Sequence, residues 1–317
     1  MVRLLAALFL VLSFSAAAQY PAKPVRLVVP FPAGSTPDIV GRTLGQRLAE
    51  AWHQPVIVDN KTGAGGNIGT AEVAHAAPDG YTLLIGINGP IAVNKALYKS
   101  LPYDPEKDLE PLSLLASGAQ ILAVHPGVPG STLPDFVNFA KNNPDKLSYG
   151  SVGAGSASHL TMELLKSQAG ISLVHVPYRG FPPVVQDLLA GNIQATFAIV
   201  PAVLPQIKAG KLKGLAVTSA ARSALAPGIA TVAEQGFPQF DATAWIGLLG
   251  PAGLPREVSE RIASETQRAM KLPEVRDLLG KQGFDVVGGT PPQFAEFIRA
   301  ETAKWTAIVK ATGARAE

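Results

Sequence analysis

Short apolar runs alternate with segments of helical periodicity over most of the chain. The first run, residues 25–29, is rich in β-branched side chains, and residues 39–52 then place apolar side chains three and four positions apart. Further strands are predicted at 56–58 and 81–85, each preceded by a helical segment. This alternation of strand and helix is typical of a parallel sheet that carries helices on both faces.

A second series of the same kind begins near Leu122. Its predicted strands are 122–124, 147–151, 173–176, 194–198 and 212–217, and its predicted helices are 133–142, 156–168 and 183–190. After it come an apolar strand and three amphipathic helices, predicted at 245–249, 257–270, 273–282 and 292–310. Two series of similar size predict an α/β protein with two lobes, each a doubly wound, mostly parallel sheet with flanking helices.

The simplest arrangement of these elements returns the chain to the first lobe near residue 245. It assigns residues 19–120 and 245–317 to the first lobe and residues 121–244 to the second. A chain that crosses twice between two lobes forms a hinge, and a ligand cleft is then expected between the lobes.

Residues 1–18 have the features of a targeting segment. Arg3 supplies positive charge, residues 4–12 form an unbroken apolar run, and three alanines precede Gln19. The run is too short to span a bilayer, so the pattern predicts a cleaved secretory signal rather than a buried first strand or helix. We therefore expect a periplasmic protein, in a compartment where ATP and NAD are not supplied.

Composition narrows the chemistry that the chain can perform. None of the 317 residues is Cys, which excludes thiolate metal sites, disulfides and Cys nucleophiles. The 27 Lys and Arg residues nearly balance 24 Asp and Glu, and a net charge of +3 provides no basic stripe for nucleic acid. The five histidines lack metal-ligand spacing. We expect no metal, no cofactor, no nucleic-acid partner and no catalytic residue.

Two loops carry the candidate chemistry, and the first, residues 32–38, directly follows the first strand. Thr36 is expected to cap the next helix and Pro37 to occupy its first position. Gly34 permits a tight turn that exposes backbone amides and the hydroxyls of Ser35 and Thr36. A helix N-terminus carries roughly half a positive charge, which favours an anion there. The alternative is an ordinary loop that only caps its helix.

The second loop, residues 151–159, joins a strand to a helix in the other lobe. Gly153 and Gly155 free the backbone, Ser156 caps the helix, and the helix amides are expected to face outward. No Lys follows the glycines, and Ser158 stands where a dinucleotide fingerprint has its third glycine, so both nucleotide motifs are excluded. A matching pair of such loops, one from each lobe, predicts a carboxylate site that needs no Arg.

Three further features carry weaker signals. The glycine run 63–66 resembles a third anion nest, although Ile68 breaks the nucleotide pattern. Ser156 and His159 would suit an exported Ser-dependent hydrolase, but the chain has no nucleophile elbow, and a packing role for His159 is the simpler interpretation. Arg179 either pairs with an anionic ligand, pairs with the facing lobe, or is solvated.

Short motifs follow one another in a fixed order along nearly the whole mature chain. They are PFPAG (30–34), DNKTGAGGNIG (59–69), PDGYTLL (78–84), Asn94 with ALY (96–98), LPYDP (101–105), SVGAGS (151–156) with HL (159–160), VPYRG (176–180), IKAGKLK (207–213) and GPAG (250–253). In these motifs the chain resembles the substrate-binding receptors of tripartite tricarboxylate transporters, the Bug receptors.

The resemblance implies a two-lobed periplasmic binding protein of the type II class that closes on a small carboxylate. Such a protein is not an enzyme, and we expect a monomer that passes its ligand to the membrane subunits of the transporter. A module that presents the same carboxylate to a membrane kinase for sensing stays open as an alternative.

The resemblance also implies that the two loops hold one carboxylate through amides, hydroxyls and ordered water. The residues in these roles are Ala33, Gly34, Ser35 and Thr36 from the first lobe and Val152, Gly153, Gly155 and Ser156 from the second. The remaining cleft residues that we expect to meet the ligand are Asn88, Tyr178, Arg179, Phe181 and Ala198.

The chain departs from the family pattern in three places. Ser35 and Pro37 stand in a loop where consecutive glycines are usual, and Phe181 replaces a usual glycine and would narrow the cleft. Ala198 stands where amino-acid-binding members carry an Asp for the ligand ammonium. Burying an unpaired ammonium costs on the order of several kcal/mol. We therefore expect an aliphatic dicarboxylate or an aromatic carboxylate rather than an amino acid.

Overall fold

The strands form two separate sheets, as the alternation of strands and helices predicts. The computed structural model describes residues 20–313 and residue 315, so the predicted signal segment 1–18 lies outside the described residues. The two-lobed α/β fold is confirmed: we call the part built on the six-stranded sheet the first lobe and the part built on the five-stranded sheet the second. The exact residues that separate the lobes stay a prediction. In the part of the chain described, no helix combines the length and apolar character of a membrane span.

The first sheet takes its strands from both ends of the described chain. They are β1 (Val25–Val29), β2 (Val56–Asn60), β3 (Thr82–Ile87), β4 (Leu109–Gly118), β10 (Ala244–Pro251) and β11 (Asp285–Val286). The second sheet consists of β5 (Gln120–Val124), β6 (Ser148–Ser151), β7 (Val174–Pro177), β8 (Ala195–Ile199) and β9 (Lys213–Val217). The strand orders are β11-β4-β10-β3-β1-β2 in the first sheet and β7-β6-β8-β5-β9 in the second.

Ten α-helices flank these sheets within the described residues. They are α1 (Thr36–Trp52), α2 (Asn67–Ala74), α3 (Asn94–Leu97), α4 (Leu133–Asn142), α5 (Ala157–Ala169), α6 (Phe181–Ala190), α7 (Val200–Lys208), α8 (Arg256–Met270), α9 (Pro273–Lys281) and α10 (Pro291–Thr312). Short 3₁₀ turns occupy Ala64–Gly66 and Ala233–Gln235, and a π-helical turn at Gly89–Val93 leads into α3.

Both sheets are mixed, whereas the sequence predicts mostly parallel ones. In the first sheet β1 runs parallel to β2 and β3, but β10 lies antiparallel to both β3 and β4. In the second, β6 runs parallel to its neighbours and β5 lies antiparallel to β8 and β9. The antiparallel strands β4, β5, β9 and β10 adjoin the two crossings between the lobes, and no β–α–β unit sets their direction.

Strand β4 is a ten-residue element that apolar periodicity does not predict. Pro111 and two serines interrupt its apolar pattern, yet β4 pairs with β10 along most of its length. Helix α7 is likewise missed, because Pro201 and Pro205 obscure its helical spacing. Tertiary pairing decides the structure of both segments.

Hydrogen bonds join the two segments in which the chain crosses between the lobes. The backbone amide of Gln120, at the start of β5, donates to Thr218 Oγ1 at 2.9 Å. The Gln120 side-chain amide donates to Thr161 Oγ1 at 2.6 Å and to the carbonyl oxygen of Ala242 at 3.3 Å. The buried Gln120 side chain therefore links the first crossing, from β4 to β5, to the second crossing, from β9 to β10, and to α5 of the second lobe.

The last helix, α10, packs on β4, on the π-helical turn and on α5 of the second lobe. Its buried Glu301 accepts hydrogen bonds from the indole Nε1 atoms of Trp245 and Trp305, at 3.1 and 2.9 Å. Lys304 pairs with the same carboxylate. Trp245 belongs to β10, so Glu301 attaches the last helix to the strand that returns from the second lobe.

We predict that Glu301→Ala lowers the free energy of unfolding by about 2–4 kcal/mol, because two buried indole donors lose their acceptor. Glu296→Ala is the matched control, since Glu296 lies on the same helix in an exposed pair with Arg299 and should change stability by no more than about 0.5 kcal/mol. Urea denaturation measures both variants. Equal stabilities for the two would contradict the role given to Glu301.

Candidate anion-binding site

The first loop brings the chain from β1 into α1. Ser35 is the N-cap, with extended backbone, and the helix begins at Thr36, so the predicted cap at Thr36 and first position at Pro37 are each one residue off. The carbonyl of Ser35 accepts the first helical hydrogen bond, from the amide of Ile39 at 3.0 Å, which fixes this register. Gly34 has a φ of +80°, a left-handed conformation that favours glycine.

Several polar groups of the first loop lack an internal partner. The Ser35 hydroxyl oxygen is buried and makes no hydrogen bond to any described residue. The amides of Thr36 and Asp38 likewise have no acceptor in the described part of the chain. Helix N-termini leave such amides free, and they carry the positive end of the helix dipole. This helix end is therefore equipped to receive an acceptor from outside the chain.

Asp38 sets the shape of the first loop. Its carboxylate accepts hydrogen bonds from the Gly34 amide at 2.8 Å, Asn60 Nδ2 at 2.9 Å and Arg42 Nε at 3.0 Å. Burial by itself would raise the pKa of Asp38, but these donors outweigh it and hold that pKa below its usual range. Arg42 also offsets the negative charge of Asp38. The Gly34 amide is consequently occupied by Asp38, and contact of Gly34 with a ligand stays a prediction.

The second loop enters α5 through Ser156, whose predicted role as helix cap is confirmed. The Ser156 hydroxyl accepts a hydrogen bond from the His159 amide at 3.4 Å and donates to the carbonyl oxygen of Gly153 at 2.6 Å. Gly153 and Gly155 have φ angles of +115° and +76°, conformations that strain other residues. The loop therefore closes on itself before the helix begins.

Four amides of the second loop donate within the chain and do not face open space as expected from the sequence. The pairs are Val152 N to Ser158 Oγ (3.2 Å), Gly153 N to Ser151 Oγ (3.1 Å), Gly155 N to His159 Nδ1 (3.2 Å) and Ser156 N to the Gly153 carbonyl (3.2 Å). Buried amides require acceptors, and short polar side chains supply them here. The amides without an acceptor among the described residues are instead those of Ala154, Ala157 and Ser158.

Two stacked histidines, His159 and His175, hydrogen-bond to groups of the second loop. The His159 and His175 rings lie 4.3 Å apart, and Tyr149 stacks on His175 at 4.9 Å. Ser151 Oγ lies 2.6 Å from His175 Nε2. Burial lowers the pKa of both histidines to about 4, and the charge of His159 further lowers that of His175. Neutral His159 can therefore accept the Gly155 amide at neutral pH.

The Ala64–Gly66 turn of the first lobe, which carries only a weak signal in the sequence, contacts the second loop. A methyl group built on Gly66 would lie 3.0 Å from the Phe31 ring, and one built on Gly65 would lie 3.0 Å from the carbonyl oxygen of Ala154. Ala64 shares the left-handed conformation of these glycines, with a φ of +45°. The Ala64–Gly66 turn therefore lies against Phe31, which precedes the first loop, and against Ala154 of the second loop. The glycine run 63–66 is the sequence signal that points to this turn.

The five other predicted site residues lie outside the two loops. Asn88 is buried and holds the returning crossing, by accepting from the Trp245 amide at 3.0 Å and donating to the Thr243 carbonyl at 3.3 Å. The Tyr178 hydroxyl donates to Asp187 Oδ2 at 2.6 Å, and burial, together with this contact, raises the Tyr178 pKa to about 12. Ala198 is fully buried in the second lobe's hydrophobic cluster, and Phe181 packs on that cluster. Arg179 is exposed. Contact with a ligand stays a prediction for all five residues: Asn88, Tyr178, Arg179, Phe181 and Ala198.

The Ser156 hydroxyl and the His159 ring do not hydrogen-bond to each other, because each has a different partner. Ser156 Oγ donates to a carbonyl, and His159 Nδ1 accepts a backbone amide. A nucleophilic serine needs a base within hydrogen-bond reach of its hydroxyl. In the described part of the chain no cluster of His, Asp and Glu side chains is arranged to hold a metal ion.

The model of the tripartite tricarboxylate transporter family receptor matches residues 40–314. The chain belongs to this receptor family. Protein BugT of Bordetella pertussis is 35% identical to the receptor over 297 residues, which cover 93% of the chain and 91% of BugT.

Two solved structures share the fold of the receptor along most of its length. Rpa4515 of R. palustris with adipate has a TM-score of 0.84 at 33% identity and covers 93% of this chain and 98% of its own. MatC from Rhodopseudomonas palustris with bound malate has a TM-score of 0.83 at 30% identity and covers 92% and 100%. The family and these neighbours are solute-binding proteins and not enzymes, and small carboxylates are the ligands named for both structures.

The buried histidines predict that the receptor loses stability in mild acid. Their folded-state pKa values of about 4 lie below the usual 6.5, so below about pH 6.5 the unfolded chain binds protons that the folded protein does not. The free energy of unfolding should therefore be unaffected by these groups above pH 6.5 and fall as the pH decreases towards 4.

Urea denaturation at pH 7 and pH 5 measures this loss, in a window above the titration of most carboxylates. The double variant His159→Gln, His175→Gln should lose less stability between these two pH values than the unmodified protein. His75→Gln, at the exposed end of α2, is the control and should follow the unmodified protein. Identical pH dependence of all three proteins would contradict the prediction.

Proposed function

We propose that this receptor captures a small carboxylate, either an aliphatic dicarboxylate or an aromatic carboxylate, in the cleft between its lobes. It acts in the periplasm as a monomer, after removal of residues 1–18, and delivers the ligand to the membrane subunits of a tripartite tricarboxylate-type transporter. The observation that carries the proposal is the presence of unpartnered donors, the buried Ser35 hydroxyl among them, at a helix N-terminus of each lobe.

The free groups of both loops are neutral donors. Amides of Thr36 and Asp38 in the first loop, and of Ala154, Ala157 and Ser158 in the second, can all donate to a carboxylate oxygen. Hydrogen bonds to a charged group contribute about 1.5–3 kcal/mol each in proteins, and the positive ends of two helix dipoles add to them. A carboxylate can therefore be held without a Lys or Arg at the two loops.

Two observations support a ligand without an ammonium group. Asp38 is the acidic residue of the two loops, and Gly34, Asn60 and Arg42 already occupy its carboxylate. An ammonium at this place would be buried among donors, which is strongly unfavourable. Rpa4515 with adipate and MatC with malate support a dicarboxylate for this chain too.

A thermal-shift screen followed by calorimetry tests the proposal. The compounds are acetate, malate, adipate, citrate, benzoate, aspartate and glutamate, each added to the purified mature protein. Malate, adipate or benzoate should raise the melting temperature and bind in calorimetry, whereas aspartate and glutamate should do neither. Tight binding of aspartate or glutamate would refute the proposed ligand class, and absence of binding by every carboxylate would refute the site.

We predict that Ser35→Ala weakens binding of the carboxylate found in this screen by about 10- to 150-fold, the effect of losing one hydrogen bond to a charged group. The melting temperature of the free protein should stay the same or rise, because the Ser35 hydroxyl has no internal partner to lose. A structural role for Ser35 would instead lower the melting temperature.

Thr266→Val is the matched control for Ser35→Ala. Thr266 also carries a buried hydroxyl without a partner among the described residues, but it lies on α8, outside both loops. Calorimetry should give this variant the same affinity as the unmodified protein. Equal affinities for Ser35→Ala and Thr266→Val would show that the Ser35 hydroxyl does not meet the ligand.

A further inference from the structure

The two lobes touch through their backbones beside the candidate site. Gly89 begins the π-helical turn Gly89–Val93 of the first lobe, and Gly155 belongs to the second loop. A methyl group built on Gly89 would lie 2.5 Å from the carbonyl oxygen of Gly155, closer than such atoms can approach. Only a hydrogen atom fits between these two backbones in the observed arrangement of the lobes.

Asn94, which is fully buried in the first lobe, lies at the same contact. Its Nδ2 donates to Asn67 Oδ1 at 2.6 Å, and the Tyr103 hydroxyl donates to that oxygen at 2.9 Å. The Asn94 Oδ1 oxygen itself is buried and has no hydrogen-bond partner in the described part of the chain. A methyl group built on Gly155 would lie 2.5 Å from it, so this oxygen faces the Cα–H of Gly155, a weak donor at best.

Gly65 provides a second close approach between the lobes. A methyl group built on it would lie 3.0 Å from the Ala154 carbonyl oxygen of the second lobe and 2.8 Å from the Tyr98 hydroxyl of its own lobe. Ala154 and Gly155 are adjacent in the second loop. The backbone of this loop therefore lies directly against glycines of the first lobe.

We propose that Gly89 and Asn94 form a closure switch for the two lobes. The missing side chain of Gly89 allows the second loop to reach the first lobe, and the unpartnered oxygen of Asn94 opposes this arrangement until a ligand compensates for it. The proposal rests on the proposed function, because closing on a carboxylate is the step that the switch controls.

The opposing effect of Asn94 follows from desolvation. Gly155 covers the Asn94 oxygen from the other lobe, so separating the lobes gives water access to an acceptor that closure leaves without a hydrogen bond. A buried polar atom without a partner disfavours the state that buries it. Closure without ligand is thus held back, and a ligand that bridges both loops shifts the equilibrium to the closed state.

The two residues predict opposite results when they are substituted. Gly89 does not have a left-handed φ, and the nearest atom of its own lobe to an added methyl group is Asn94 Oδ1 at an ordinary 3.4 Å. Gly89→Ala is therefore compatible with the first lobe and collides with the second. Asn94→Leu removes the unpartnered oxygen together with the Nδ2 donor and substitutes an apolar side chain of similar shape, while Asn67 keeps its hydrogen bond from Tyr103.

Distances between two spin labels measure the closure of the lobes directly. The chain has no Cys, so cysteines introduced at the exposed positions Gln46 on α1 and Lys141 on α4 are the sole labelling sites, one per lobe. Electron–electron double resonance is recorded without ligand and with adipate. Gly280→Ala, on α9 with open space around the added methyl group, is the control.

In the unmodified protein and the Gly280→Ala control, adipate should increase the population with the shorter distance. Gly89→Ala should keep the longer distance under both conditions and bind adipate at least about tenfold more weakly. Asn94→Leu should enrich the shorter distance several-fold without any ligand. Urea denaturation establishes that each variant is folded, and Gly89→Ser, which adds the same Cβ atom, repeats the test with a second side chain.

Distances in Gly89→Ala and Asn94→Leu that match those of the unmodified protein would overturn the switch. Failure of the proposed ligand is a separate result. If adipate and the other carboxylates leave the unmodified protein unchanged, Asn94→Leu should still enrich the shorter ligand-free distance, and Gly89→Ala should still keep the longer one. Without ligand, a shorter distance that is not enriched in Asn94→Leu, or one that is enriched in Gly89→Ala, contradicts the proposal whatever the ligand is.

Discussion

Backbone amides at the end of a helix need acceptors, and this requirement governs the candidate site in both lobes. In the second loop serine hydroxyls, a histidine ring nitrogen and a carbonyl satisfy four amides, and in the first Asp38 satisfies Gly34. The donors left over lie at the start of α1 and at the entrance to α5. In the proposed site these donors stabilise the negative charge of the ligand, because no acceptor in the described chain reaches them.

The scaffold places these two helix ends in two lobes, which the chain connects by two crossings. Each lobe has its own sheet, and the crossings between them are held by the side chains of Gln120 and Asn88. Helix α10 lies on the first lobe and touches α5 of the second. A ligand that contacts both helix ends therefore binds most tightly when the lobes are together, which couples binding to closure.

The sequence predicts the parts of this structure that depend on local patterns. The β-branched run of β1, the spacing of α1 and the cap at Ser156 are local signals, and each is found close to its predicted place. The two-lobed fold follows from the same alternation. The ordered family motifs supply the rest of the functional assignment, which periodicity alone does not contain.

Features that depend on residues far away in the sequence cannot be predicted from local patterns. β4 is a strand because β10 pairs with it, and the Gly155 amide is occupied because His159 lies beneath it. The importance of Gly89 comes from a carbonyl of the other lobe, which no neighbouring residue in the sequence reveals. Ala198 likewise lies within a strand as expected but is buried in the core of its lobe.

A titration followed by amide nuclear magnetic resonance tests the shared carboxylate site most directly. Adipate is added to the nitrogen-15-labelled mature protein while the amide signals of Thr36, in the first lobe, and of Ala157 and Ser158, in the second, are followed. The account predicts that signals from both loops move together along one saturation curve. Movement confined to a single loop, or saturation at different adipate concentrations in the two loops, would contradict it.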